Sequence, residues 1–256
     1  MKYLISVGHT ASGNIGCGAV DLLNESDCTR EIAPLVVNKL KDLGYEAIKL
    51  QIDNSDAYDY VKRTNQANNE GGDLFVEIHL NAGGGTGCEV LTTSGSKASN
   101  LAVKVSESIS NALGISNRGH KTTSGLYVLN HTSMSAMLIE CCFVDNQKDY
   151  NAYNAEKIAN AIVSGLTGQT VSQGTWEETS NGWKYKKADG SYIVRDWFQY
   201  KDKWYYFNEH GIMLSAEWLH LTSTGCDYCF YSDGSLITNT DIYGYHFDEN
   251  GHAIKL

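Results

Sequence analysis

Positive charge is scarce in this chain: 20 Lys and Arg stand against 30 Asp and Glu, a formal net charge of −10 over 256 residues. Nothing here would neutralise a run of phosphates, which argues against a nucleic-acid binder. The deficit is evenly shared, with 18 acidic and 13 basic side chains in residues 1–168 and 12 and 7 in residues 169–256, so that each part carries −5. Long apolar runs are missing too. No stretch approaches the ~20 residues of a membrane span, which argues against membrane insertion. The opening MKYLISVGHT sets one Lys before an apolar run that breaks at Gly8–His9. A secretory segment would run longer and end in small residues, so synthesis in the cytoplasm without a signal peptide is expected. Cysteine offers no framework: seven residues at irregular spacing fit a reduced compartment better than a disulfide scaffold. Proline occurs once, at Pro34, and tryptophan not at all before Trp176.

That last absence divides the chain. Residues 1–168 hold 9 of the 27 aromatic side chains, and residues 169–256 hold 18, including all five Trp. Between the two compositions lies GLTGQTVSQGT, a Gly/Ser/Thr/Gln stretch that reads as a linker. The expected organisation is a domain over 1–168, a linker over 169–175 and a second domain over 176–256.

The first part alternates strand and helix signals. Strands are expected at Tyr3–Val7, Tyr45–Gln51, Leu74–Leu80, Gly87–Thr92, Gly125–Leu129 and Ala136–Phe143. Helices are expected at Thr29–Leu43, Asp56–Asn69, Ala98–Leu113 and Asp149–Leu166, with Pro34 in the first turns of the earliest. This order predicts an α/β fold, a mixed, largely parallel twisted sheet flanked by helices. The second part repeats instead. Trp176, Trp197 and Trp218 fall 21 residues apart, as do Trp183 and Trp204, with turn signals at Asp189–Gly190, Glu209–Gly211, Asp233–Gly234 and Asn250–Gly251. A period near 20 with aromatic strands such as KWYYF predicts a smaller all-β domain of stacked hairpins, each burying its face against its neighbours.

Candidate metal ligands sit at the ends of expected elements: His9 after ISVG, Glu25 opening the first long helix, and His79 closing LFVEIHL. Residues at the carboxyl ends of strands in an open α/β sheet converge on one crevice. Two histidines, one carboxylate and an open fourth position suit catalytic zinc, which lowers the pKa of water and polarises a carbonyl. Glu140 ends the strand AMLIE on the same edge, where a carboxylate off the metal can shuttle a proton. Glu77 points the same way as His79 on its strand, so spacing alone leaves Glu25 and Glu77 both open as the third ligand. Other features carry less. Cys226 and Cys229 form a CxxC with no second pair, on a strand that would turn them to opposite faces. Cys141 and Cys142 read as buried strand residues, the Gly83–Gly85 run opens no clear helix, and His120 and His131 read as surface residues.

The segments VGHTASGNIGCGAV…NES, RTNQANNEGGDLFVEIHLNA, GCEVL, RGHK…LYVLNHT and MLIECCFVDN run in order. Together they resemble the zinc-dependent type 3 N-acetylmuramoyl-L-alanine amidases of bacterial autolysins and phage endolysins. The resemblance implies His9, Glu25 and His79 as zinc ligands and Glu140 as the catalytic carboxylate. Asn81 and Arg118 lie in matching segments, and the loop after His9 departs from the family's acidic form, reading TASGN. It further implies peptidoglycan as partner, action at the cell wall after release, and cleavage between N-acetylmuramic acid and L-alanine of the stem peptide. A zinc peptidase cutting within the stem peptide and a non-catalytic wall-binding protein are the alternatives. The segment GWKYKKADGSYIVRDWFQYKDKWYYFNEHGIMLSAEW resembles choline-binding repeats, in which aromatic faces box a quaternary ammonium of wall teichoic acid. That resemblance implies Trp197, Trp204, Tyr206, Met213 and Trp218 as wall-ligand contacts, to choline-bearing teichoic acid or another wall polymer.

Overall fold

The apolar runs YLISV, LFVEIHL and AMLIECCF are too continuous for a sheet with one wet face, and the computed structural model places all three centrally in a covered sheet. It describes residues 1–169, 174–187, 190–200 and 203–256, so most of the expected linker and the turn residue Asp189 lie outside the described residues. The chain divides into two compact units, Met1–Val171 and Ser172–Leu256.

In the first unit, strands β1 (Lys2–Val7), β2 (Glu46–Leu50), β3 (Leu74–Asn81), β4 (Cys88–Thr92), β5 (Asn117–Thr122) and β6 (Ser135–Phe143) form one sheet in the order β2-β1-β3-β6-β4-β5. Every neighbouring pair is parallel except β4 with β6, which is the mixed, largely parallel sheet that the alternation predicts. Helices α1 (Glu25–Asp42), α2 (Asp59–Glu70), α3 (Ser99–Leu113), α4 (Tyr127–His131), α5 (Gln147–Ala152) and α6 (Ala155–Thr167) cover it. Ile32, Val36 and Leu40 of α1, Val105 and Ile109 of α3, and Ile158 and Ile162 of α6 pack with Ile5, Val76, Ile78 and Ile139 in the larger core. A smaller core joins Leu4, Phe75 and Leu138 to Ala67 of α2 and Val128 and Leu129 of α4. No helix among the described residues is long and apolar enough to cross a membrane.

Four expectations need correction. The apolar segment 125–129 is not a strand: Tyr127–His131 forms the short helix α4, held by Asn130 N–H donating to the Leu126 carbonyl and by the Thr132 hydroxyl donating to the Val128 carbonyl. Packing of Val128 and Leu129 outweighs the β preference of LYV. The strand falls instead at Asn117–Thr122, whose polar NRGHKT sequence suits the sheet's edge. The expected helix 149–166 breaks into α5 and α6, because the Asn154 side chain accepts from Lys157 N–H and starts a new helix. The first helix begins at Glu25 rather than Thr29, capped by the Asn24 side chain accepting from Asp27 N–H. Pro34 therefore lies well inside α1, where it removes one N–H from the helical ladder.

The second unit is a series of antiparallel hairpins: β7 (Thr175–Thr179) with β8 (Gly182–Lys186), β9 (Asp196–Tyr200) with β10 (Lys203–Phe207), and β11 (Trp218–Leu221) with β12 (Cys226–Cys229). A last three-stranded piece comprises β13 (Thr240–Ile242), β14 (Tyr245–Phe247) and β15 (Ala253–Lys255). Small aromatic cores lie between successive hairpins. Trp176 and Tyr185 of the first pack with Tyr205 and Phe207 of the second, and Trp197 and Tyr206 of the second with Tyr228 and Phe230 that follow. Cys229 joins Ile237 and Phe247 in the next core, whereas Cys226 packs against the preceding one, so the CxxC pair serves two different faces.

Helices α3 and α6 approach closely at Gly165, where an added Cβ would stand 2.6 Å from Val105 Cα. Gly165→Ala should therefore destabilise the first unit by about 1–3 kcal/mol through overpacking, despite alanine's better helix propensity. Chemical denaturation monitored by circular dichroism reads the shift.

Candidate metal centre

The parallel strands deliver their carboxyl ends to one place. Val7 of β1 pairs with Ile78 of β3, which sets Gly8 beside His79, and His79 pairs in turn with Glu140 of β6. Glu140 is matched on its other side by Glu89 of β4. Gly8 is required by this register, since a Cβ there would come within 2.8 Å of His79 Cε1 and Nε2. The chain then turns sharply, with His9 in the left-handed region at φ 67°, a costly conformation for a residue with a Cβ. The loop brings α1 back so that its first residue, Glu25, stands between the two imidazoles.

Glu25 Oε1 lies 2.9 Å from His79 Nδ1 and 3.1 Å from His9 Nε2. Backbone groups lock the carboxylate: Leu80 N–H donates to Oε1 at 3.0 Å and Ala19 N–H to Oε2 at 2.9 Å. A Cβ on Gly18 would stand 2.6 Å from both Glu25 Oε2 and His9 Cδ2, so glycine leaves the space that these two side chains fill. Each histidine also has an acceptor on its far nitrogen. His9 Nδ1–H donates to the Gly16 carbonyl at 3.0 Å, and His79 Nε2–H to Glu77 Oε1 at 2.9 Å. In those tautomers His9 Nε2 and His79 Nδ1 turn their lone pairs toward Glu25.

Lone pairs so arranged repel unless positive charge lies among them. Burial alone would lower the His79 pKa, but its hydrogen bonds to Glu25 and Glu77 and their charges raise it to about 10. Burial would raise Glu25, yet the same histidines hold it far below the usual carboxylate range. A proton on His79 supplies such a charge, and a divalent metal held by the same atoms would supply it too. Among the described residues, His9, Glu25 and His79 are the one group of three whose ligand atoms all lie within 4.8 Å of one another. Their two nitrogens and one carboxylate oxygen fit the donor set of a catalytic zinc.

Glu77 is absent from that trio. It lies on the other side of the His79 ring, paired with Arg63 of α2, which also meets Asp59 one turn earlier. Glu140 stands beside the trio without joining it. Its Oε2 is buried with no hydrogen-bond partner among the described residues, and burial pushes its pKa up to about 7. Glu89 was not expected at the site. Asn81 Nδ2 donates to its Oε1 at 2.9 Å, while Arg118 Nε at 2.8 Å and Lys121 Nζ meet its Oε2. The available signal was a lone carboxylate inside the apolar strand CEVLT. Likewise Asp59, Arg63 and Ala67 share the buried face of α2, placing charge where an apolar stripe would be usual.

His120 hydrogen-bonds Thr92 Oγ1 at 2.8 Å, and exposed His131 stacks on Tyr127 at 4.0 Å between ring centroids, so neither belongs to the trio. The backbone N–H groups of Gly83 and Gly84 clasp Asp145, an internal anion. In the hairpin unit, the Trp197 ring lies 6.4 Å from Trp204 and 5.2 Å from Tyr206. Trp218 faces Tyr245 at 4.9 Å, and Met213 is buried in the preceding core with Tyr205 and Phe207. Trp204 and Trp218 are exposed, at 43% and 47%. Trp204, Tyr231 and Leu236 line an open cleft of about 570 Å³ with Lys203 and Asp233 at its rim.

Residues 4–168 match the family Amidase_3, described as N-acetylmuramoyl-L-alanine amidase. The chain is 30% identical over 201 residues to the sporulation-specific N-acetylmuramoyl-L-alanine amidase of Bacillus subtilis (strain 168), covering 76% of each protein. It is 28% identical over 193 residues to the endolysin of Bacillus phage SPP1, covering 72% of this chain and 70% of that one. Among solved structures, it is similar to the catalytic domain of the CD27L endolysin targeting Clostridia difficile. That likeness has a TM-score of 0.62 and 30% identity, over 67% of this chain and 99% of that one.

Arg63 is 2% exposed and holds two buried carboxylates, so its removal leaves Asp59 without its cation and Glu77 with His79 alone. Arg63→Met should destabilise the first unit by about 3–5 kcal/mol, read as a lower denaturant midpoint in the metal-free protein.

Proposed function

The chain belongs to the N-acetylmuramoyl-L-alanine amidase family, and from that membership and the His9–Glu25–His79 cluster we propose that it is a zinc-dependent amidase acting at the bacterial cell wall. As a member it is a peptidoglycan hydrolase. The bond it cuts joins the lactyl group of N-acetylmuramic acid to L-alanine of the stem peptide. The observation that carries the zinc reading is the convergence of His9 Nε2 and His79 Nδ1 on Glu25 Oε1, with Glu77 confined to the far nitrogen of His79.

A zinc ion held by His9, Glu25 and His79 would supply Lewis acidity toward the substrate carbonyl and acidify water beside it. The chain's own residues handle the proton and the orientation. Glu140, with its unpartnered Oε2, accepts the proton of the attacking water and returns it to the alanine nitrogen as the C–N bond breaks. The Leu80 and Ala19 amides keep Glu25 from rotating, and the Gly16 carbonyl fixes the His9 ring. The free carboxylic acid stays on the lactyl group and a new amino terminus appears on L-alanine.

The hairpin unit is proposed to hold the enzyme on the wall. Exposed Trp204 and Trp218, with Trp197 and Tyr206 beside the first, offer electron-rich faces suited to a quaternary ammonium, and choline-bearing teichoic acid is the proposed ligand. Met213 would act from beneath, by shaping the hairpin core.

Glu140→Gln should retain one zinc per chain while turnover falls by about 10²–10⁴-fold, the range for a lost general acid–base. Metal analysis and mass spectrometry of digested walls check this. New N-terminal L-alanine supports the amidase, shortened stem peptides would mean a peptidase, and loss of zinc would make Glu140 a ligand. Trp204→Ala should weaken sedimentation with choline-bearing walls by roughly 2- to 30-fold, one cation–π contact being worth about 0.5–2 kcal/mol. Failure of free choline to release the wild-type protein would rule out that ligand.

A further inference from the structure

Glu77 is a buried carboxylate that the proposed proton transfer does not use. It is 1% exposed, and burying a charge costs several kcal/mol unless every group around it is matched. Both of its oxygens are engaged. Oε1 accepts from Arg63 Nη2 at 3.2 Å and from His79 Nε2–H at 2.9 Å, while Oε2 accepts from the Ser6 hydroxyl at 3.1 Å. Arg63 is anchored in turn by Asp59. Ser6 and Glu77 are paired in register on β1 and β3, and Glu77 stands two residues before His79 on the same face of the same strand. Gly8 keeps the ring edge clear, since a side chain there would strike Cε1 and Nε2.

We propose that Glu77 is a positioning residue for the metal centre: held by Arg63 and Ser6, it fixes the His79 ring through Nε2–H so that Nδ1 alone faces Glu25 and His9. The inference rests on the zinc reading above and adds to it an outer residue that sets how tightly the metal is held. A carboxylate behind a ligating imidazole both selects the tautomer and strengthens the other nitrogen as a donor. The network Asp59–Arg63–Glu77–His79 thus ties α2 to the centre, although α2 contributes nothing to the ligand trio. It also gives a purpose to charges that an apolar α2–β3 contact would otherwise replace at no loss of stability.

The test measures zinc affinity of the full chain by competition with a chromophoric chelator, for wild type, Glu77→Gln, and the triple variant Asp59→Asn/Arg63→Met/Glu77→Leu. The triple variant swaps the ion network for groups that need no cation, so it keeps a folded protein available should Glu77→Gln alone leave Arg63 badly paired. Both variants should bind zinc about 10- to 100-fold more weakly than wild type. The visible bands of the cobalt-substituted proteins should shift as His79 becomes a looser donor, a change that a purely structural role for Glu77 would not produce. Wild-type affinity in the folded variants, with unshifted cobalt bands, would overturn the role of Glu77 while leaving the zinc reading intact. A wild-type chain that takes up no zinc would overturn both.

Discussion

Everything at the site depends on one carboxylate oxygen. Glu25 Oε1 faces His79 Nδ1 and His9 Nε2 at about the same distance and accepts the Leu80 amide besides. That convergence is unfavourable without a positive charge among the donors, and the surrounding structure sustains it. Gly8 and Gly18 vacate the volume that the rings occupy, and His9 takes a left-handed backbone to reach inward. Strain, buried charge and two closely packed glycines concentrated around these three side chains support the proposed metal site.

The sheet order explains why these residues meet. Parallel pairing of β1, β3 and β6 sends their carboxyl ends the same way, and the register Gly8–His79–Glu140 lays the proposed ligand and the proposed proton carrier side by side. The antiparallel pairing of β4 with β6 then brings Glu89 next to Glu140, with Arg118 and Lys121 of the edge strand satisfying it. Glu140 is left with one buried, idle oxygen beside the trio. The hairpin unit works on a different principle, with aromatic cores between successive units in place of a common interior.

Much of this was legible in the sequence because strand ends and histidines are local signals. ISVGH, FVEIHL and AMLIE each announce an apolar strand terminating in a residue able to bind a metal or carry a proton. The choice between Glu25 and Glu77 was not legible by spacing. Both can reach His79, and what separates them is which ring nitrogen each faces, a matter of three-dimensional register and of the Leu80 and Ala19 amides. The edge strand 117–122 is not legible because an edge needs no apolar alternation, and the apolar residues of 125–129 imitate a strand while serving a one-turn helix. Asn154 could have signalled the break between α5 and α6, as a capping residue inside an otherwise continuous helical pattern. Glu89 and Arg63 were hidden in apolar surroundings, where a lone charge reads as noise until its partners are seen.

The proposed centre is defined by the atoms that would hold the metal. Anomalous diffraction from crystals of the zinc-loaded protein, collected across the zinc absorption edge, tests it most directly. A single strong peak is expected, bound by His9 Nε2, Glu25 and His79 Nδ1, with Glu140 nearby but outside bonding distance and Glu77 on the far side of the imidazole. A peak ligated by Glu77 or Glu140 in place of Glu25, or no peak at this cluster, would contradict it.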